Sequence, residues 1–250
     1  MPHFNSDGID IAYLDQGAGD PVLLIHGFAS NKEINWVGPS WVKTLTEAGH
    51  RVICFDHRGH GASGKVYDPA LYDTARMAED ARRLLAHLHI ERADVIGYSM
   101  GARVGAFMAL LFPEAVRALV IGGLGIHLVD GVGLPQSIAD AMEAPRLEDV
   151  ADPMGRMFRA FADANRQDLK ALAACIRGSR QVLTREEVGR IFQPVLVAVG
   201  TRDAVAGDPG PLVDLLPDGE LLPIPNRDHN PAVGDKVFKQ GVVEFLRRRP

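Results

Sequence analysis

Cysteine is scarce in this chain, with two residues in 250, so no disulfide framework organises it. Cys54 falls in a strand-like run and Cys175 in a helix-like run far along the chain. Both read as free, buried thiols of a reducing cytoplasm. Basic charge is not in excess. Lys and Arg total 27 against 32 acidic residues, and the net charge of −5 excludes the footprint expected for nucleic acid or an anionic membrane. No apolar run approaches the roughly 20 residues that span a bilayer. Met1 to Gly8 has neither a basic region nor an apolar h-region, so no signal peptide is expected. No metal motif such as H-E-x-x-H occurs, and there is no repeat. The rest of the composition, 46% hydrophobic and 24% charged, suits a globular chain with a sizeable core: one large α/β domain or two small ones.

Strand and helix signals alternate through the first half, the pattern of a mainly parallel, doubly wound sheet with helices on both faces. Ile9–Leu14 alternates as a one-side-exposed strand, whereas Pro21–Ile25 is continuously apolar, as a buried parallel strand requires. Trp36–Ala48 reads as a helix closed by Gly49, Arg51–Phe55 as a strand and Thr74–His89 as an amphipathic helix. Ala93–Ile96 and Val116–Ile121 are further strands. Between Gly122 and Gly189 the alternation stops. Helical texture takes over at Leu134–Met142, Met154–Ala164, Leu169–Ile176 and Glu186–Ile191. Strands resume at Pro194–Gly200 and Glu220–Ile224. A helix is expected after Pro211, and Asn230-Pro231 should open a last helix through Leu246. The expected organisation is a core of residues 1–124 and 191–250 with residues 125–190 inserted as a helical lid.

Gly97-Tyr98-Ser99-Met100-Gly101 stands between one of these strands and a helix-like run. A serine on a sharp strand-to-helix turn presents its hydroxyl to an approaching base, and glycines two positions either side avoid a clash there. Gly101, Gly105 and Ala109 recur every four residues and should let the following helix lie close to the sheet. A serine hydroxyl is a poor nucleophile without a base, and the base needs an orienting partner. His229 follows the last strand, at the carboxyl-end position where open α/β sheets assemble their sites. Asp203 follows Pro194–Gly200 and is favoured as the acid on position. Asp208 competes, although Asp208-Pro209-Gly210-Pro211 reads as a turn, and Asp228 adjoins His229 too closely to face it. For the oxyanion, backbone N–H groups are needed. Met100 and Phe28 are the candidates, and the Phe28 side chain is placed to line an acyl pocket. His87 and His89 read as helix-end residues, and His3, His50 and His127 carry no legible partner pattern.

With these pieces the chain resembles the α/β-hydrolase superfamily, near its small bacterial serine esterases, lactonases and carbon–carbon-bond hydrolases. The matching residues are His26-Gly27-Phe28, Asp56-His57-Arg58-Gly59-His60-Gly61-Ala62-Ser63, Gly97-Tyr98-Ser99-Met100-Gly101, Gly200-Thr201-Arg202-Asp203 and Asp228-His229. They stand in the family's order of nucleophile, acid and histidine. The resemblance covers nearly the whole chain, with 125–190 matching only as a lid. It implies an eight-stranded-type sheet, a Ser99–Asp203–His229 triad and no cofactor. It also implies that Asp56–Ser63 is a structural turn, so His57 and His60 are not read as metal ligands.

The nucleophile is serine, whereas the family's dehalogenases and epoxide hydrolases use aspartate. Ala102-Arg103 stands where many relatives carry a second glycine, so no single relative's substrate carries over. Between Gly131 and Arg190 there are nine basic and nine acidic residues, so charge count implies no preference for an anionic substrate. Of Met154, Met157, Phe158 and Phe161, at least two should share a helical face. The resulting expectation is a hydrolase of small or medium esters, thioesters or lactones, with a small molecule as its partner rather than nucleic acid or membrane. Carbon–carbon-bond hydrolysis in aromatic degradation and a triad-retaining signalling receptor are the rivals.

Overall fold

The computed structural model describes residues 1–131 and 135–249. Its eight strands are β1 His3–Ser6, β2 Ile9–Gly17, β3 Asp20–Ile25, β4 His50–Phe55, β5 Ala93–Tyr98, β6 Val116–Gly122, β7 Val195–Gly200 and β8 Gly219–Ile224. They form one sheet in the order β1-β2-β4-β3-β5-β6-β7-β8. The first two pairings, β1 with β2 and β2 with β4, are antiparallel, and all later ones are parallel. The inner parallel strands β3, β5, β6 and β7 are apolar on both faces because both are covered, whereas the edge strand β8 is half-exposed. Leu23 and Ile25 pack into one core cluster with helices α2 (Thr74–His87) and α3 (Met100–Leu111), and Val22 and Leu24 pack into the other with α1 (Trp41–Glu47). The reading of a doubly wound, mainly parallel sheet therefore holds.

Between β6 and β7 the described residues carry five helices: α4 His127–Asp130, α5 Ser137–Glu143, α6 Pro153–Ala164, α7 Leu169–Gly178 and α8 Arg185–Val188. Leu134, expected to open one of them, lies outside the described residues. After β7 come α9 Gly210–Val213, α10 His229–Ala232 and α11 Lys236–Arg248. No helix of the described residues is long and apolar enough to cross a membrane.

One strand was not foreseen, and two expected helices need correction. Strand β1 is short and mixed in composition, so its alternating burial was not legible; it exists because Phe4 can pair opposite Ile11. The helix expected over Trp36–Ala48 is two pieces. A π-helical turn at Glu33–Val37 precedes Gly38-Pro39-Ser40, and α1 starts only at Trp41. Proline cannot continue the ladder, and Ser40 takes a left-handed backbone with φ of 66°. The last helix is likewise divided. The helix is interrupted at Val233-Gly234, and the Asp235 side chain accepts from the Val237 amide to start α11 afresh.

Candidate active site

Ser99 occupies the turn between β5 and α3, with φ of 56° and ψ of −115°. This backbone is strained for a residue with a Cβ, by about 1–3 kcal/mol, and it persists because the surroundings over-determine it. The Ser99 amide donates to the Gly122 carbonyl of β6 at 2.7 Å. A Cβ on Gly97 would overlap the Gly101 carbonyl, and one on Gly101 would overlap the Ile25 carbonyl of β3. Only glycine lets the strand, turn and helix approach this closely. Gly105, one turn on, faces Val95 and Leu119, so the small-residue row does lie against the sheet.

His229 is buried, and its Nε2 stands 3.0 Å from Ser99 Oγ. Its Nδ1 stands 2.8 Å from Asp203 Oδ2. The other oxygen of Asp203 accepts from the amides of Val205 and Ala206 at 2.9 and 3.0 Å, which fixes the carboxylate edge turned to the ring. Asp208 is engaged elsewhere and accepts from the Gly210 amide in the turn before α9. The loops after β7 and β8 are tied together: Arg202 N donates to Arg227 O and Asn226 N to Thr201 Oγ1, each at 2.9 Å. The Tyr98 hydroxyl donates to the His229 carbonyl. Burial, with the carboxylates of Asp203 and Asp228 nearby, pushes the Tyr98 phenol well up, so it remains a donor.

The amides of Phe28 and Met100 donate to no protein group among the described residues. Met100 is the first residue of α3, where an amide has no intrahelical acceptor. The Phe28 loop is pinned on both sides. Gly27 N donates to Asn35 Oδ1 at 2.8 Å, and His26 Nδ1 lies 2.8 Å from Gly27 O. Asn35 sits on the π-helical turn and was not legible as a site residue, because nothing in sequence links it to Gly27.

His26, His57 and His60 pack edge-on into a buried group beneath this loop. His57 N donates to His26 Nε2 at 3.0 Å, and burial lowers His26 to about 4 and His60 to about 3. These rings are therefore neutral packing groups. The buried Lys32–Asp56 pair, 2.7 Å apart, anchors the same turn, and Asp56 also accepts from the Ala62 amide. Among the described residues no group of three His, Cys, Asp or Glu side chains could hold a metal ion. Of the other histidines, His3 lies 2.8 Å from Asp10, and His127 Nδ1 lies 3.0 Å from the Val205 carbonyl.

Two cavities flank Ser99. One, of about 300 Å³, is walled by Phe28, Asn35, Phe158, Phe161, His229 and Pro231. The other, of about 40 Å³, runs along α3 past Met100 and Arg103. Phe158 and Phe161 thus share the cavity-facing side of α6, whereas Met157 is exposed and Met154 packs against the core.

Residues 20–153 match the family model described as the alpha/beta hydrolase fold. The chain belongs to the α/β-hydrolase fold family. It is similar to the non-heme chloroperoxidase CPO-A1 of Kitasatospora aureofaciens, 29% identical over 97% of this chain and 98% of that one. Among solved structures it is similar to a hydrolase from Pseudomonas aeruginosa PA01, with 26% identity, a TM-score of 0.81 and coverage of 98% and 97% of the two chains. The enol-lactonase from Burkholderia xenovorans LB400 shares the fold, with a TM-score of 0.83 at 20% identity over 99% of this chain and all of that one.

Proposed function

We propose that this α/β-hydrolase is a serine hydrolase of small to medium carboxylic esters, thioesters or lactones. The observation that carries the reading is the relay Asp203–His229–Ser99, with hydrogen-bond spacings of 2.8 and 3.0 Å. His229 takes the Ser99 proton as Oγ attacks the carbonyl carbon, and Asp203 holds the imidazolium that forms. The Phe28 and Met100 amides, free of protein acceptors, receive the oxyanion. His229 then donates its proton to the leaving oxygen, which departs with the alcohol. Water, deprotonated by His229, cleaves the acyl-enzyme and releases the acid. The leaving oxygen must come within reach of His229, which walls the larger cavity, so that cavity takes the leaving group and the smaller one the acyl arm. The Phe28 side chain then serves the leaving-group side rather than an acyl pocket.

The helices α4–α8 act in this reading as a lid, and α6 roofs the site through Phe158 and Phe161. A small acyl cavity should favour short chains. In a series of nitrophenyl esters from acetate to palmitate, kcat/KM should fall beyond short acyl groups, with no jump in rate at the micellar threshold. A preference for palmitate would overturn the lid and acyl-cavity assignment, and no hydrolysis of any member would overturn the serine-hydrolase reading.

The reaction uses no thiol. Cys54 and Cys175 are free and buried, and burial pushes both up to about 12, so neither is a thiolate in the cytoplasm, where we place the protein. A Cys54→Ala/Cys175→Ala variant should keep its kcat/KM within about threefold, and denaturant titration should show a loss of roughly 1–3 kcal/mol from two small core truncations.

A further inference from the structure

The smaller cavity beside Ser99 has an unusual wall. Two of its lining residues are arginines, Arg103 and Arg180, set among Met100, Leu124, Ile176 and Ser179. Arg103 lies in the first turn of α3, four residues after Ser99, and both side chains line this cavity. Carbonyls hold its guanidinium from behind. Nη2 donates to His127 O at 2.8 Å and Nη1 to Gln181 O at 3.0 Å, with Leu128 O further off at 3.4 Å. Among the described residues, no acceptor meets its Nε–H.

No carboxylate offsets this charge among the described residues. Burial lowers Arg103 to about 10, and the charge of Arg180 adds in the same direction. It is still a cation at neutral pH. Arg103 is half-buried, whereas the fully buried cations among the described residues each meet an acid: Lys32 with Asp56, Arg58 with Asp80, and Arg159 with Asp163. A desolvated charge without a counter-charge is costly, and carbonyl dipoles offset only part of that cost. A clamp on the α4 carbonyls would explain the back of the guanidinium. It leaves unexplained the cavity beside Ser99 that the same side chain lines.

We propose that the Arg103–Arg180 cavity is an anion subsite that receives a carboxylate at the far end of the substrate's acyl arm. This rests on the serine-hydrolase reading for its orientation, since the leaving group occupies the His229 side. The substrate class is then a half-ester or half-thioester of a short dicarboxylic acid. Ser99 attacks its ester carbonyl, the alcohol or thiol leaves with the proton from His229, and water returns the dicarboxylate. A volume of about 40 Å³ exceeds the roughly 10–15 Å³ that one water needs, which leaves room for a carboxylate but not for a long chain. The guanidinium fork suits a carboxylate's two oxygens. The balance of nine basic and nine acidic residues over 131–190 implied no preference for an anion. That count omits Arg103, which lies on α3.

The test compares ethyl hydrogen succinate with ethyl pentanoate, a neutral ester of similar length, by acid release. It uses wild type, Arg103→Gln and Arg180→Gln, each checked by circular dichroism. Calorimetry of succinate binding runs beside it. Wild type should favour the anionic ester at least tenfold in kcat/KM. Arg103→Gln should cut that ratio at least tenfold and Arg180→Gln severalfold, mainly through KM, with succinate affinity falling in parallel. Arg180 is exposed, so its variant decides the matter if Arg103→Gln fails to fold. Hydrolysis of the neutral ester with a ratio at or below one would overturn the subsite and leave the serine-hydrolase reading standing. Succinate binding that both substitutions weaken, with neither ester hydrolysed, would support the subsite and overturn the hydrolase reading. Succinate affinity unchanged by both substitutions would overturn the subsite.

Discussion

Ser99→Ala should lower kcat/KM for a short ester by about ten-thousand- to a million-fold, the scale of loss when a triad serine is removed. The expectation rests on one atom. His229 Nε2 is 3.0 Å from Ser99 Oγ, and no other described hydroxyl stands at that distance from it. The fold should survive. The Ser99 amide bond to Gly122 O belongs to the backbone, and alanine keeps the Cβ and therefore the same strained turn. Paired measurements of kcat/KM and circular dichroism check this. Retention of a tenth of the activity in a folded variant would remove Ser99 from the mechanism.

Asp203→Asn should cost about ten-thousand-fold in kcat/KM, whereas Asp208→Asn should change it less than threefold. The asparagine oxygen can still accept from Val205 and Ala206, so the loop after β7 should hold its shape. Its NH2 would then face His229 Nδ1, 2.8 Å away in the native protein. A donor there forces the proton onto Nε2, and the ring can no longer take the proton from Ser99. Asp208 has no such access, because its carboxylate caps the turn at Gly210. Equal losses at the two positions would mean that disturbance of the β7 loop, rather than the tautomer of His229, governs activity.

The site was legible where chemistry follows from local backbone. Gly97-Tyr98-Ser99-Met100-Gly101 can be read as a turn because its glycines are demanded by neighbours only a few residues away in β5 and α3, together with the adjacent strand β3. Asp203 and His229 were legible as residues just past strands, since strand ends in a parallel sheet all open on one side. Between Asp203 and Asp208 sequence position could only lean one way; the amides of Val205 and Ala206 turn one carboxylate toward the ring, and that is a matter of loop path. Asn35 was invisible because its partner, Gly27, meets it through a π-helical turn that no periodicity announces. The helix breaks at Gly38-Pro39 and Gly234 are carried by plain residues, but the apolar period runs on across them and masks the interruption.

The alternation of strand and helix, the doubly wound parallel sheet and the glycine-flanked serine turn can be read from the residues alone. Each follows from interactions short in sequence: side-chain period, apolar runs, and glycine where a Cβ cannot fit. Which charges meet a counter-charge is settled by packing. In the helices between β6 and β7, Arg159 closes on Asp163 and Arg177 on Glu143, whereas Arg103, from outside that segment, meets carbonyls and a second arginine. Composition adds charges together. Coulomb energy depends on the distance between particular atoms and on the water removed from around them, and both are set when helices distant in the chain are packed over the same serine.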